Sequence, residues 1–218
     1  IKATAFGAAA NYYETAEYLV PEDEWPHNEI FKLYLEHATA ALLSGDSTKA
    51  SALCDRLNGK AVGNLEKGAV TNLKVLILEF QGKLFETIAE IRKALHLFDI
   101  FLPENPEEIE QRIQESIRKM QQHLSRTPIE EIVNLPEMND PEKMMAMQLL
   151  FQVVPPAIQT YPPLYILASL LMCDLSITFG ISPLSCKCFG DYGVIQITML
   201  GDYQTGYKLG QTTFALIN

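Results

Sequence analysis

Apolar residues recur every three to four positions along most of the chain. Between His27 and Ser44, Phe31, Tyr34, Leu35, Ala38, Ala41 and Leu42 share one face. Val70, Leu73, Ile77 and Phe80 step the same way from Glu66 to Phe80, and Leu84, Ile88, Ile91, Leu95 and Phe98 continue the pattern. This is the period of an amphipathic helix with one face turned to a core. From Glu107 to Leu124 a single narrow stripe (Ile109, Ile113, Ile117, Met120, Leu124) is surrounded by charge, which predicts a surface helix. Acids open that helix, and Arg118 and Lys119 lie near its end, as the helix dipole prefers. Met144 to Val154 and Leu164 to Cys173 are apolar nearly all round, so these helices should be buried on several sides. Val194-Ile195-Gln196-Ile197-Thr198 is the one β-favouring run; it has no evident partner and is read as helix.

Helix starts are marked repeatedly. Asn105-Pro106-Glu107-Glu108 places a cap, then proline at the first helical position, then acid near the positive end of the dipole. Thr127-Pro128, Asp140-Pro141 and Ser182-Pro183 have the same form, and together they predict many short helices. The stretches 98–106 and 125–141 are the expected joints. Between amphipathic segments, a glycine is followed five positions later by a small residue: Gly45 and Ala50, Gly82 and Thr87, Gly201 and Gly206. The glycine can end one helix in a left-handed conformation, and the small residue lets the next helix pack closely. This resembles the inter-helix turn of a tetratricopeptide repeat, and the 37-residue step from Gly45 to Gly82 is near the usual ~34. The expected fold is all-α: antiparallel helix pairs stacked as a right-handed, tetratricopeptide-like (TPR-like) α–α superhelix. Residues 1–218 are expected to form one such region. Its repeats should be more regular over 28–98, and its helices less regular and more buried over 105–218.

Composition narrows the function. With 17 Lys+Arg against 27 Asp+Glu, the net charge is -10, which argues against nucleic acid as the main partner. The apolar run Leu164–Cys173 is too short to span a bilayer, which needs about 20 residues, so no membrane insertion is expected. Of four cysteines, only Cys186 and Cys188 are close, and their spacing is neither that of a redox pair nor that of a zinc knuckle. Reduced thiols fit a cytoplasmic protein. The chain begins at Ile1 with no signal peptide, which leads us to expect a segment of a longer chain.

Candidate chemistry is sparse. Gly63 and Gly68 have phosphate-loop spacing, but the Lys-Ser/Thr that would hold phosphate and metal does not come after them, so a helix turn is the better reading. His27, His37, His96 and His123 show no metal spacing, and His37 and His96 read as partly buried packing residues. Glu22-Asp23-Glu24 and Glu107-Glu108 read as a loop and a helix start, not as acid pairs for hydrolysis. Trp25 reads as a packing anchor. Tyr12, Tyr13, Tyr34, Tyr161, Tyr165, Tyr203 and Tyr207 could contribute to a concave binding face. No catalytic, cofactor-binding or metal-binding residue is expected, and no cofactor.

Several strings together resemble one family. They are Leu19-Val20-Pro21-Glu22-Asp23-Glu24-Trp25, Leu43-Ser44-Gly45-Asp46, Leu102-Pro103-Glu104-Asn105-Pro106, and Ile132 through Pro141 with its Leu135-Pro136-Glu137-Met138-Asn139-Asp140-Pro141 core. Phe179-Gly180-Ile181-Ser182-Pro183 and Gly201-Asp202-Tyr203-Gln204-Thr205-Gly206-Tyr207 complete the set. In this order they look like the helical region of large bacterial signalling proteins. Those chains join a serine/threonine kinase, a STAND-type AAA ATPase, the helical region, a GAF domain and a sensor histidine kinase. Two departures stand out. Cys186-Lys187-Cys188-Phe189-Gly190-Asp191 replaces a smoother Ala-rich helix, and Ile181 replaces a small polar residue. The resemblance implies a non-catalytic scaffold or sensor segment that couples the ATPase, or a bound protein partner, to the downstream histidine kinase. The alternative is a stand-alone adaptor that binds a peptide or protein in its concave groove.

Overall fold

The computed structural model describes residues 2–20 and 24–217. Pro21, Glu22 and Asp23, which belong to the first family-like string and to one candidate acid pair, lie outside the described residues. Among the described residues the chain is all-helical. Its α-helices are α1 (Lys2–Leu19), α2 (His27–Leu43), α3 (Ser47–Lys60), α4 (Gly63–Phe80), α5 (Leu84–Leu95), α6 (Pro106–Arg126), α7 (Pro141–Thr160), α8 (Pro162–Phe179), α9 (Ser185–Leu200) and α10 (Tyr203–Ile217). Short 3-10 segments cover His96–Phe98 and Ile129–Asn134. The contacts divide the chain into two compact units, Ile1–Lys83 and Leu84–Asn218.

In the first unit, α2 packs against α1, α3 and α4, and α3 packs against α4. The face expected for α2 forms the core: Phe31, Tyr34, Ala38, Ala41 and Leu42 are buried against Leu53, Cys54 and Leu57 of α3 and Val70, Leu73 and Ile77 of α4. Phe80 leaves the expected stripe and is 67% exposed. It is the last residue of its helix, so no further turn covers it. Gly63 opens α4 with φ +76°, and the Glu66 carboxylate takes the Val62 amide at 2.7 Å. The two-glycine stretch is thus a helix start capped by its own glutamate, as a capping box would be.

In the second unit, α8 packs against α6, α7 and α9, while α5 lies on α7 and α10 lies on α9 and on the second 3-10 segment. The stripe of α6 is buried as expected, at Ile109, Ile113, Ile117 and Met120. By length and composition, α8 is the one helix among the described residues that could cross a membrane, yet half of it is buried inside the fold. The run Val194–Thr198 is helical, within α9, and so is the unusual Cys186–Asp191 stretch. α7 continues past Val154 through Pro155 and Pro156. Each proline forfeits one backbone hydrogen bond, and burial of Val153, Val154, Pro156 and Ala157 offsets that loss.

The cap-proline starts divide into two kinds. Asn105 accepts the Glu107 and Glu108 amides, and Asp140 accepts those of Glu142 and Lys143. Thr127, by contrast, ends α6, and Pro128 leads into a 3-10 segment with no side-chain cap. Its Ile129 and Ile132 are drawn into the core, and this burial outweighs continuation as a helix. After Ser182 the helix starts later than expected, at Ser185; the Ser182 hydroxyl still takes the Leu184 amide at 3.2 Å.

Two of the family-like strings meet in space. The Ile181 amide donates to the Pro136 carbonyl at 2.8 Å, and the Met138 amide donates to the Ile181 carbonyl at 2.8 Å. They form a single parallel bridge between Glu137 and Ile181. Ile181 takes part through its backbone. Gly180, with φ +109°, sits directly under this crossing: an added Cβ would lie 2.5 Å from the Pro136 carbonyl oxygen.

Candidate docking surfaces

Gly45, Gly82 and Gly201 lie between helices, and Ala50, Thr87 and Gly206 lie within the helices that follow them. Gly45, Gly82 and Gly201 all have positive φ. At Gly45 the amide bonds Leu42 and the Asp46 amide reaches Ala41; at Gly82 the amide bonds Glu79 and the Lys83 amide reaches Leu78. These paired bonds satisfy the orphan carbonyls of the preceding helix. Ala50 is fully buried where α3 crosses α2. At Gly206 α10 approaches α9 closely: an added Cβ would sit 2.5 Å from Ile197 Cγ1 and 2.9 Å from the Gly193 carbonyl oxygen. Gly82 and Thr87 fall in different units, and Thr87 is buried within the second. Two features of these turns went unnoticed in the sequence. Asp46 caps α3 through the Lys49 amide at 2.9 Å, and Asp202 takes the Thr205 amide at 3.0 Å. The Gly-Asp doublet is the signal that could have shown both.

Polar side chains, some buried and some at the surface, tie the helices together. In the first unit the ring of His37 is buried and its Nδ1 meets Glu17, which ties α1 to α2. Arg56 of α3 reaches Glu17 at 3.4 Å and the Tyr34 hydroxyl at 2.6 Å. Tyr13 donates to Glu36 at 3.0 Å, and that bond, with burial and the Glu36 charge, raises the phenol pKa. His27 Nε2 lies 2.9 Å from Glu66. Burial pushes the Glu66 carboxyl up, but the bonds from His27 and the Val62 amide outweigh it and leave the pKa below the usual carboxylate range. His96 departs from expectation: it lies exposed in the first 3-10 segment, tilted against Phe101 at 5.5 Å. The helix has already tightened there, which turns the ring outward.

In the second unit Asp191 is the hub between α8 and α9. It accepts the Ser169 hydroxyl at 3.0 Å and pairs with Lys187 one helical turn before it. Tyr165 packs on the same carboxylate. Burial first, then the Asp191 charge and hydrogen bond, push the Tyr165 phenol up to about 12. Because the folded value lies above the ordinary 10.0, Tyr165 stabilises the fold fully below pH 10. That contribution is lost as pH rises through about 12. Urea midpoints should therefore fall more steeply over this window in the native chain than in Tyr165→Phe; parallel pH profiles would contradict the assignment. Asp174 makes a more exposed clasp from α8 to α6, through Lys119 at 2.6 Å and His123 at 3.0 Å.

Of the thiols, Cys54, Cys173 and Cys188 are buried and Cys186 is half-buried, and all are free. Burial, with the nearby Asp55 charge, pushes Cys54 up to about 11, which makes it a poor nucleophile. Among the described residues no group of three or more His, Cys, Asp or Glu side chains is placed to hold a metal ion.

The surfaces left open are grooves and apolar stripes. Along α1 and α2 runs a groove with two adjoining hollows. One, of about 390 Å³, is lined by Phe6, Ala9, Tyr13, Leu35, Thr39 and Leu43. The other, of about 240 Å³, is lined by Ala16, Val20, Trp25, Glu29, Lys32 and Leu33, and Glu36 borders both. Trp25 is 50% exposed, so it forms a wall of this groove and is not a fully buried anchor. In the second unit a shallow groove of about 560 Å³ runs along α6 past Glu107, Glu110, Gln114 and Arg118 to Tyr161. Of the candidate tyrosines, Tyr34 is buried; Tyr13, Tyr161 and Tyr165 are half-buried; and Tyr12, Tyr203 and Tyr207 are exposed. No protein-family model, curated protein or solved structure matches the chain.

Proposed function

We propose that the chain is a non-catalytic, TPR-like helical scaffold that docks protein, and that it works inside a multidomain signalling kinase of the type its strings resemble. In this reading it couples an upstream ATPase module, or a bound partner, to a downstream histidine kinase. The segment needs no cofactor, contacts neither nucleic acid nor the membrane interior, and acts in the cytoplasm. The observation that carries the docking role is the α1–α2 groove. Its floor is apolar and its rim alternates acid and base at Glu29, Lys32 and Glu36, a form suited to the apolar face of an amphipathic helix. The neighbour pattern of the first unit supports the stack. α2 packs on its hairpin partner α3 and also on the next-but-one helix α4, as alternating helices do in a superhelical repeat. The bonds from Ser169 to Asp191 and between Ser176 and Ser185 cross from α8 to α9, a role suited to a rigid frame.

The single tryptophan gives the test, because Trp25 lines the groove. An amphipathic helical peptide library titrated against the chain should contain sequences that shift Trp25 emission saturably, and Leu35→Glu should abolish the shift. ATP titrated in the same way should show no saturable binding. Clear ATP saturation would sink the non-catalytic reading, and a library with no active member would sink the docking role.

A further inference from the structure

The outer face of α10 turns an ordered apolar pattern to solvent. Tyr203, Tyr207, Gly210, Phe214 and Ile217 succeed one another at steps of four, three, four and three, the spacing of a coiled-coil seam. Tyr203 is 71% exposed, Tyr207 67%, Phe214 72% and Ile217 64%. The inner face is a different set, with Gly206, Leu209 and Thr212 buried. Gly210 stands apart from Gly206. Gly206 is pressed against Ile197 and Gly193, whereas a Cβ added at Gly210 would meet nothing within 4 Å. A mid-helix glycine weakens a helix, and no internal contact requires this one.

We propose that this face pairs with the same face of a second copy, with the two α10 helices antiparallel and crossing at Gly210. Three features select a second copy. The seam is symmetric about Gly210: two large side chains, glycine, two large side chains. An antiparallel pairing sets Tyr203 against the partner's Ile217 and Tyr207 against the partner's Phe214, while the two Gly210 positions allow the backbones to approach. This is the self-complementary form that a two-fold interface requires. Charge agrees with it. Lys208 is the only charged residue on α10 and is already paired with Glu130 at 2.8 Å. A chain of net charge -10 therefore meets its copy across a neutral seam. Area agrees as well. Side chains of this size and exposure offer roughly 500 Å² per copy, which reaches the ~1,000 Å² total at which specific interfaces begin.

Sedimentation equilibrium of the 218-residue chain, from about 1 to about 200 µM, should show a monomer–dimer equilibrium. Tyr207→Glu and Phe214→Glu should each weaken it by at least ~10-fold, and at concentrations where the native chain is monomeric they should leave the far-UV circular dichroism and thermal midpoint unchanged, because both side chains are largely exposed. In a Cys186→Ser background, mild oxidation should cross-link Tyr203→Cys to Ile217→Cys in a mixture of the two variants, but should not cross-link Tyr203→Cys to itself. A chain that stays monomeric over the whole range overturns the proposal. So does a dimer untouched by either glutamate, or one in which Tyr203→Cys cross-links to itself.

Discussion

Gly180→Ala should cost the second unit about 4 kcal/mol, the sum of backbone strain and a backbone clash. Gly180 has φ +109° in an otherwise extended backbone, a region that residues with a Cβ essentially do not enter. The added carbon would also lie 2.5 Å from the Pro136 carbonyl oxygen and 2.9 Å from the Met138 amide nitrogen. Both are backbone atoms, fixed by the Ile181–Pro136 and Met138–Ile181 hydrogen bonds. Neither strand of the crossing can yield without breaking the link from the 3-10 segment to the end of α8. Gly45→Ala is the control. Its φ is also positive, but nothing lies within 4 Å of the added carbon, so only the left-handed penalty of about 1–2 kcal/mol applies. Urea unfolding reads the difference. The circular dichroism midpoint should move to lower urea by a clearly larger step in Gly180→Ala than in Gly45→Ala. Equal shifts from the native midpoint in the two variants would remove the crossing from its structural role.

Asp191→Ala should cost about 2–3 kcal/mol, the penalty for leaving buried donors without an acceptor. Ser169 is fully buried and donates its hydroxyl to Asp191 at 3.0 Å, and Tyr165 packs on the same carboxylate. Lys187 is 42% exposed in its side chain and can turn to water, so its loss adds little. Asp174→Ala provides the comparison. Its partner Lys119 is more than half exposed, and an ion pair of that kind is worth about 1 kcal/mol or less. Thermal or urea unfolding of both variants should therefore rank Asp191→Ala well below Asp174→Ala; the reverse order would show that the α8–α9 hub is not the stronger clasp.

Much of the fold could be read along the chain because its signals are local. The stripe of α6 needed only the spacing of Ile109, Ile113, Ile117 and Met120, and the caps at Asn105 and Asp140 are satisfied within three residues of themselves. The turns at Gly45, Gly82 and Gly201 are equally local. Where local signals misled, a distant partner decided. Thr127-Pro128 has the form of a helix start, but the core claims Ile129 and Ile132 and leaves a 3-10 segment. His96 sits on the apolar stretch of α5 by periodicity, yet the helix tightens just before it and the ring faces out. Trp25 was legible as important but not as a groove wall, because Ala16 of α1 and Val20 just past its end supply the other side.

By itself, the sequence determined that this protein is helical, where most of its helices begin and end, and which face of each is apolar. Periodicity and capping act over three or four residues, so they survive without knowledge of the fold. Only the tertiary structure decided which residues are irreplaceable. Gly180 is constrained by Pro136 and Met138, Asp191 by Ser169, and Gly206 by Ile197 and Gly193. It alone also separated the two faces of α10, one pressed on α9 and one largely exposed. Close approach and burial are properties of pairs of segments, and no single segment carries them.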